Sequence, residues 1–163
     1  MFYLLTNETF WIAAGSIGTV GTLIFIFLQI KLTRIATSSD LILRLEDRFE
    51  SKEFKDKRSK AVKVIKEKNI EKIDDIREVF DFFETIGILV RRNVLDKELV
   101  WSTFFYWVYN YYFLGKEFLD SDRENFPRRY DEFVWLYKEL YIIDKLKGGK
   151  TELEGSNFLD EEI

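Results

Sequence analysis

The chain has 163 residues, of which 29 are acidic and 25 basic, giving a net charge of −4 at pH 7. This charge gives no support to nucleic-acid binding through a global basic field. Cysteine and histidine are both absent, which excludes disulfides and thiol chemistry and removes the commonest general base and transition-metal ligand. Zinc and copper sites are therefore not expected, and an oxygen-ligand site for magnesium or calcium stays open.

The first element in chain order is an apolar stretch, because no charged residue occurs between Glu8 and Lys31. A helix of roughly 20 apolar residues crosses the hydrocarbon core of a bilayer, so residues 10–30 are predicted to form one transmembrane helix. The preceding residues contain no Lys or Arg, unlike the n-region of a cleaved signal peptide. Residues 10–30 are therefore interpreted as an uncleaved, single-pass anchor.

The charges that flank this anchor predict its orientation. Glu8 is the charged residue before it, whereas Lys31 and Arg34 follow it and form the predicted lipid-headgroup flank. Because positive charge marks the cytoplasmic side, we expect residues 1–9 to be a short extracytoplasmic N-terminus. Residues 31–163 are expected in the cytoplasm, with the anchor in the inner or plasma membrane.

Small residues recur along the anchor, where Ala14, Gly18 and Thr22 lie four apart. Spacing of this kind places small side chains on one helix face and lets two membrane helices approach closely. The three residues are therefore a candidate face for membrane-helix packing. The alternative is that Gly and Ala are simply common in membrane helices.

After the anchor, the spacing of apolar residues predicts an all-α domain of four to five helices and no strand. The charged juxtamembrane segment, residues 31–72, is expected to hold two helices, at about 38–49 and 52–67. The aromatic-rich helical core is expected over residues 73–147. Residues 148–163 are rich in acidic side chains and are predicted to be a flexible tail.

Three helices are predicted within the aromatic-rich core. The first ends at Arg91 and Arg92, where positive charge suits a helix C-terminus. The second runs from Asp96 to about Leu119 after a short turn. The third opens near Pro127, because the missing N–H of a proline costs nothing in the first turn of a helix.

An uncharged aromatic run, LVWSTFFYWVYNYYFLG at residues 99–115, allows three interpretations. It is a central core helix packed on both sides, a partly exposed face that binds a partner or lipid, or a second membrane span. Trp and Tyr favour interfaces, so the second interpretation defines a candidate partner surface. That surface consists of Trp101, Phe105, Trp107, Tyr109 and Tyr112.

Arg58 falls within the apolar stripe of its predicted helix. A buried arginine needs a carboxylate partner, and Asp81 and Glu84 lie in the densest apolar part of the following helix. The sequence therefore predicts a buried ion pair between Arg58 and one of these two residues. The alternative is an arginine whose charged end extends to the surface.

Two segments carry a family resemblance: VFDFFETIGILVRRNVLDKELVW at residues 79–101 and YDEFVWLYKEL at residues 130–140. Together with the anchor and the charged helices, they resemble a domain-of-unknown-function family of small prokaryotic proteins with one N-terminal membrane helix. The resemblance implies a membrane-anchored helical domain in bacteria or archaea. The shared motifs are apolar and structural, so the resemblance implies no catalytic residue.

The function expected from these features is a non-enzymatic, membrane-tethered interaction or scaffold module that self-associates or binds a protein partner. Membrane lipid is an expected partner, whereas nucleic acid, a cofactor, a bound metal and a small-molecule substrate are not expected. One alternative is a membrane-acting effector in a toxin or phage-defence system. Another is a divalent-metal-dependent enzyme, which requires a pocket with at least three converging carboxylates.

Overall fold

A computed structural model of the chain describes residues 8–68, 73–149, 158–159 and 162, in which every regular element is a helix and no strand occurs. This confirms the predicted all-α fold. The helices are α1 (Glu8–Glu50), α2 (Lys52–Glu67), α3 (Ile73–Arg91), α4 (Lys97–Leu114), α5 (Lys116–Asn125) and α6 (Asp131–Leu146). The chain divides into two compact units, Met1–Thr37 and Ser38–Ile163.

The first unit contains the apolar part of α1. The large apolar side chains described there, such as Ile17 and Phe27, are between 44% and 74% exposed. The hydroxyl of Thr22 donates a hydrogen bond to the carbonyl of Gly18 at 2.9 Å, and Ser16 and Thr19 do the same one turn back. Within the described part of the chain, α1 is the one helix long and apolar enough to cross a membrane.

The second unit begins at Ser38, within α1, and local capping explains where two of its helices, α2 and α4, start. The Ser51 hydroxyl accepts a hydrogen bond from the Phe54 N–H at the start of α2. The Asp96 carboxylate accepts from Glu98 and Leu99 at the start of α4. These caps satisfy N–H groups that have no partner within the helix.

Helix α3 lies at the centre of the second unit, because it packs against both α2 and α6, while α4 also packs against α6. The Phe83 ring on α3 stacks against Phe133 on α6, with 5.4 Å between the ring centroids. Gly87 allows the same two helices to approach closely, since a Cβ there would lie 2.8 Å from the carbonyl carbon of Glu132. The core thus combines aromatic rings with aliphatic side chains such as Ile76 and Val100, and it includes one close helix contact.

The sequence predictions of the later helix boundaries were wrong in two places. The helix predicted from Asp96 to Leu119 ends at Leu114, and α5 begins at Lys116. Between them lies Gly115, where a Cβ would be only 2.6 Å from the ring of Phe80, so a contact distant in sequence accompanies the break. Pro127 lies in the turn between α5 and α6 and not in the first turn of α6.

Candidate functional site

The five aromatic residues of the candidate partner surface lie in or against the core of the second unit. Phe105 and Tyr109 are buried, and Trp101, Trp107 and Tyr112 are partly buried and packed against the core. Tyr112 stacks on Tyr137 of α6 with 3.9 Å between ring centroids. Two of the five side chains thus belong to the core, and the partner surface stays a prediction for the partly buried Trp101, Trp107 and Tyr112.

Arg58 is buried, with 4% of its surface exposed. Its guanidinium carbon lies 3.9 Å from the ring centroid of Phe49 and 4.8 Å from that of Trp107. A guanidinium between two aromatic faces gains cation–π attraction while it is shielded from water. The end of α1, α2 and α4 therefore converge on this one cation.

The carboxylates that pair with Arg58 differ from the two predicted. Glu162 Oε2 lies 3.4 Å from Arg58 Nε, and Glu50 Oε1 lies 3.8 Å from Nη2. Glu84 instead accepts a hydrogen bond from the backbone N–H of Phe133 at 2.6 Å, and the cations that act on Asp81 are Arg129 and Arg77. Asp81 and Glu84 thus interact with groups in and near α6 and not with Arg58. They lie on a different face of α3 from the one that meets α2.

Glu162 is the residue that the sequence analysis missed, since it lies in the tail predicted to be flexible. Its side chain is 6% exposed, and Oε2 accepts a hydrogen bond from the Tyr111 hydroxyl at 3.0 Å. Burial raises the pKa of Glu162, and the opposing effects of Arg58 and Tyr111 are smaller. Burial, followed by the charge of Glu162, raises the pKa of Tyr111 well above its usual value.

Phe158 anchors the same segment. Its ring is fully buried and contacts Tyr111, Trp107 and Tyr106 of α4, with centroids 5.2, 5.7 and 5.8 Å apart. The Glu162 N–H donates to the Phe158 carbonyl at 3.3 Å, which is the spacing of a helical turn and places both side chains on one face. We call Phe158, Leu159 and Glu162 the C-terminal turn; residues 150–157 lie outside the described part of the chain.

A cavity of about 440 Å³ opens beside Arg58, and its lining includes Glu162, Trp107 and, on α2, Lys55 and Ser59. Some hydrogen-bond donors of the Arg58 guanidinium have no partner beside this cavity. Its Nε and Nη1 atoms have no hydrogen-bond partner among the described residues, because the 3.4 Å contact to Glu162 is an ion pair without hydrogen-bond geometry. A buried guanidinium with unused donors is a binding group for a carboxylate.

The remaining predicted residues lie in α1 or bear on metal binding. The side chain of Ala14 lies outside the described residues, whereas Gly18, Thr22, Lys31 and Arg34 are all exposed. No group of three or more Asp and Glu side chains able to hold a metal ion occurs in the described ranges. The arrangement that the structure does bring together is Arg58, Trp107 and Tyr111 around Phe158 and Glu162 of the chain's own C-terminal turn.

The sequence contained one indication of this site. Phe158 and Glu162 are four residues apart in the tail, which is the spacing of two side chains on one helical face. Comparison with known proteins finds a matching protein family. The model of a domain of unknown function, DUF4760, matches residues 10–140, a range that includes Arg58 and ends before the C-terminal turn. No curated protein and no solved structure matches the chain.

Proposed function

The chain belongs to the DUF4760 family of domains of unknown function, and we propose that it is a membrane-tethered helical interaction or scaffold module that self-associates. One observation carries the proposal. The apolar part of α1 leaves its large side chains exposed within its own unit, although α1 is long and apolar enough to cross a membrane. Exposed apolar area costs roughly 25 cal/mol per Å² in water, so a bilayer is the environment that this helix fits.

The polar groups of α1 also suit a bilayer. Its serine and threonine hydroxyls donate to carbonyls one turn earlier, which satisfies groups that hydrocarbon would leave without partners. Lys31 and Arg34 then suit the anionic headgroups of the cytoplasmic leaflet. On this basis the protein is a single-pass inner- or plasma-membrane protein with residues 1–9 outside and the second unit in the cytoplasm.

Self-association is supported by the open surface around Gly18. Nothing in the described part of the chain lies within 4 Å of a Cβ placed there, and the Thr22 hydroxyl already bonds to the Gly18 carbonyl. A second copy of α1 can therefore pack against a shallow face on which the Thr22 hydroxyl already has a hydrogen-bond partner. Close backbone approach of this kind stabilises helix pairs in membranes.

The test uses the full chain in its native membrane. We expect the protein to resist extraction at alkaline carbonate pH and to form dimers or larger species with a lysine-reactive crosslinker. Replacing Gly18 by Leu should lower the yield of crosslinked species, because the added side chain keeps the two helices apart. The matched control is Val20→Phe, which adds volume on the opposite face of the same helix and should leave the yield unchanged.

Two results would contradict the proposal. Release of the chain by carbonate would show that α1 does not anchor it in the membrane. Recovery of only single chains after crosslinking would show that the protein does not self-associate, and the search would then turn to a different protein partner.

A further inference from the structure

We propose that copies of this chain exchange their C-terminal turns, so that Phe158 and Glu162 of one copy dock against Phe49, Arg58, Trp107 and Tyr111 of another. These four residues are called the Arg58 pocket below. The inference rests on the proposed self-association and deepens it by naming a second interface, in the cytoplasmic unit. The ligand of the Arg58 pocket is thus an acidic helical turn with an aromatic anchor, supplied by a second copy.

The C-terminal turn has the properties of a ligand. It is held by one aromatic side chain, fully buried among rings of α4, and by one carboxylate that reaches Arg58 and Tyr111. An apolar anchor in an aromatic pocket, fixed in register by a charged contact, is how helical peptides are recognised by grooves. The pocket and the turn are therefore complementary in both shape and charge.

Charge complementarity extends beyond the contacting atoms. Helix α2 (Lys52–Glu67) carries seven basic and three acidic residues, while residues 158–163 carry three acidic residues and no basic one. Opposite charge of this kind steers the encounter of two surfaces and fixes their register. A turn that arrives from another copy meets the same field as the turn of the chain itself.

The C-terminal turn that fills the Arg58 pocket can come from the same chain or from a second copy, because of the length of chain that connects it to α6. Eight residues, 150–157, join Gly149 to Phe158, and eight extended residues span up to about 28 Å. A contact between two segments of one chain that are joined by a connection of this length can also be made between two chains by exchange.

The contact within one chain leaves part of Arg58 unused. One buried aromatic ring, one hydrogen bond from Tyr111 and one ion pair hold the turn, while two donors of Arg58 have no hydrogen-bond partner among the described residues. Copies anchored in the same bilayer are held at high local concentration, which raises the occupancy of a weak contact between them. Two copies that fill each other's pockets form a closed, self-complementary pair.

The absence of cysteine from the chain allows a direct test in the full-length protein. Two copies with different tags are expressed together in the membrane, one carrying Ser59→Cys at the lining of the cavity and the other Ile163→Cys beside Glu162. A thiol-specific crosslinker should join the two tagged copies. Adding Phe158→Ala to the copy that carries Ile163→Cys should lower this yield about tenfold, as expected when the aromatic anchor of an interface is removed.

Two further variants make the result specific. Glu162→Lys places a cation against Arg58 and should also lower the yield, without removing the aromatic anchor. Leu146→Ala removes a leucine that is 82% exposed on α6 and should leave the yield unchanged. An undiminished yield with both Phe158→Ala and Glu162→Lys would overturn the exchange.

The exchange and the proposed self-association fail in different ways. If the thiol-specific crosslinker fails to join the two tagged copies, while the lysine-reactive reagent still joins copies, the exchange is overturned and self-association stands. If neither reagent joins copies, both proposals fall. Joining of the two tagged copies, reduced by Phe158→Ala and by Glu162→Lys, is the result that supports the inference.

Discussion

Tyr111 donates a hydrogen bond to Glu162, with 3.0 Å between the phenolic oxygen and Oε2. The same carboxylate oxygen lies 3.4 Å from Nε of Arg58. Side chains of α2 and α4 therefore meet at one carboxylate of the C-terminal turn. Burial is the largest effect on the pKa of this carboxylate. Protonation of Glu162 and docking of the turn are therefore coupled.

The first prediction concerns pH. Burial raises the pKa of Glu162, so the docked turn holds a proton more tightly than the free turn, whose pKa is about 4.3. The contribution of this group to docking is thus fully present below the ordinary pKa and is lost as pH rises through the raised value. We expect docking to tighten as the pH falls from 7 towards that ordinary value.

Fluorine NMR of a 4-fluorophenylalanine at position 158 would report the docked and free fractions across this range. Glu162→Gln is the control and should remove the pH dependence. A free fraction that grows as the pH falls would show that the attraction between Arg58 and ionised Glu162 outweighs burial, and would contradict the prediction.

The second prediction compares the loss of Arg58 alone with the loss of both Arg58 and Glu162. Arg58→Met leaves Glu162 buried without its cation, so the turn should undock at pH 7 and the free energy of unfolding should fall by about 1–3 kcal/mol, the cost of an unsatisfied buried group. Replacing both partners of a buried pair is often nearly neutral. The double variant Arg58→Met, Glu162→Gln should therefore recover most of the loss.

Urea unfolding in detergent, followed by tryptophan fluorescence, measures both variants. The close contact of Arg58 with Trp107 makes the signal sensitive to this region. A double variant as unstable as Arg58→Met alone would show that the arginine acts through its packing on the two rings and not through the pair.

The sequence was sufficient to predict features set by local chemistry. The bounds of α2, Lys52–Glu67, and the end of α3 near Arg91 agree with the structure, because capping residues and apolar spacing act within a few residues. The burial of Arg58 is one of the two placements that its position in an apolar stripe allowed. These features depend on neighbours along the chain, which a single sequence displays directly.

Features that depend on distant contacts were not predictable in this way. The break at Gly115 coincides with the close approach of Phe80 on α3, and the sequence does not display that approach, although glycine is itself a residue that often ends helices. The partner of Arg58 was sought among carboxylates in apolar surroundings, whereas Glu162 lies in a polar tail. Pairing between segments far apart in the chain leaves no periodic pattern in the sequence. The residues of this site could therefore be identified only from the three-dimensional structure.

The third prediction concerns a second buried carboxylate, Asp122 on α5. It is 4% exposed and accepts hydrogen bonds from Arg77 at 2.6 Å and from Arg129 at 3.0 Å. Burial alone would raise the pKa of Asp122, but the two arginines outweigh it and the pKa is lowered. Its contribution to stability is present above about pH 3.9, the ordinary value, and is lost as pH falls through the lowered pKa.

Asp122→Asn should therefore lower the free energy of unfolding at pH 7 by about 1.5–3 kcal/mol, the range for hydrogen bonds to charged groups. The measurement is urea unfolding at pH 7 and again near pH 3, where the difference between the two proteins should shrink. Asp120→Asn, an exposed aspartate on the same helix, is the matched control. Equal losses for the two variants would show that the paired position of Asp122 has no special importance.

The last prediction concerns the close contact of α3 with α6. A Cβ on Gly87 would lie 2.8 Å from the carbonyl carbon of Glu132 and closer still to its oxygen, and a backbone atom cannot move aside as a flexible side chain does. Gly87→Ala should therefore push the helices apart and lower the free energy of unfolding by about 1–3 kcal/mol, the usual cost of overpacking.

The matched control for Gly87→Ala is Gly18→Ala, because a Cβ at Gly18 meets no described atom within 4 Å. That variant should leave the urea midpoint of the second unit unchanged. In an ordinary exposed helix position the change from Gly to Ala stabilises by roughly 1 kcal/mol, so even an unchanged midpoint for Gly87→Ala would mean that the steric conflict offsets this gain. A midpoint raised by the full helix propensity would show that α6 moves away from α3 without cost.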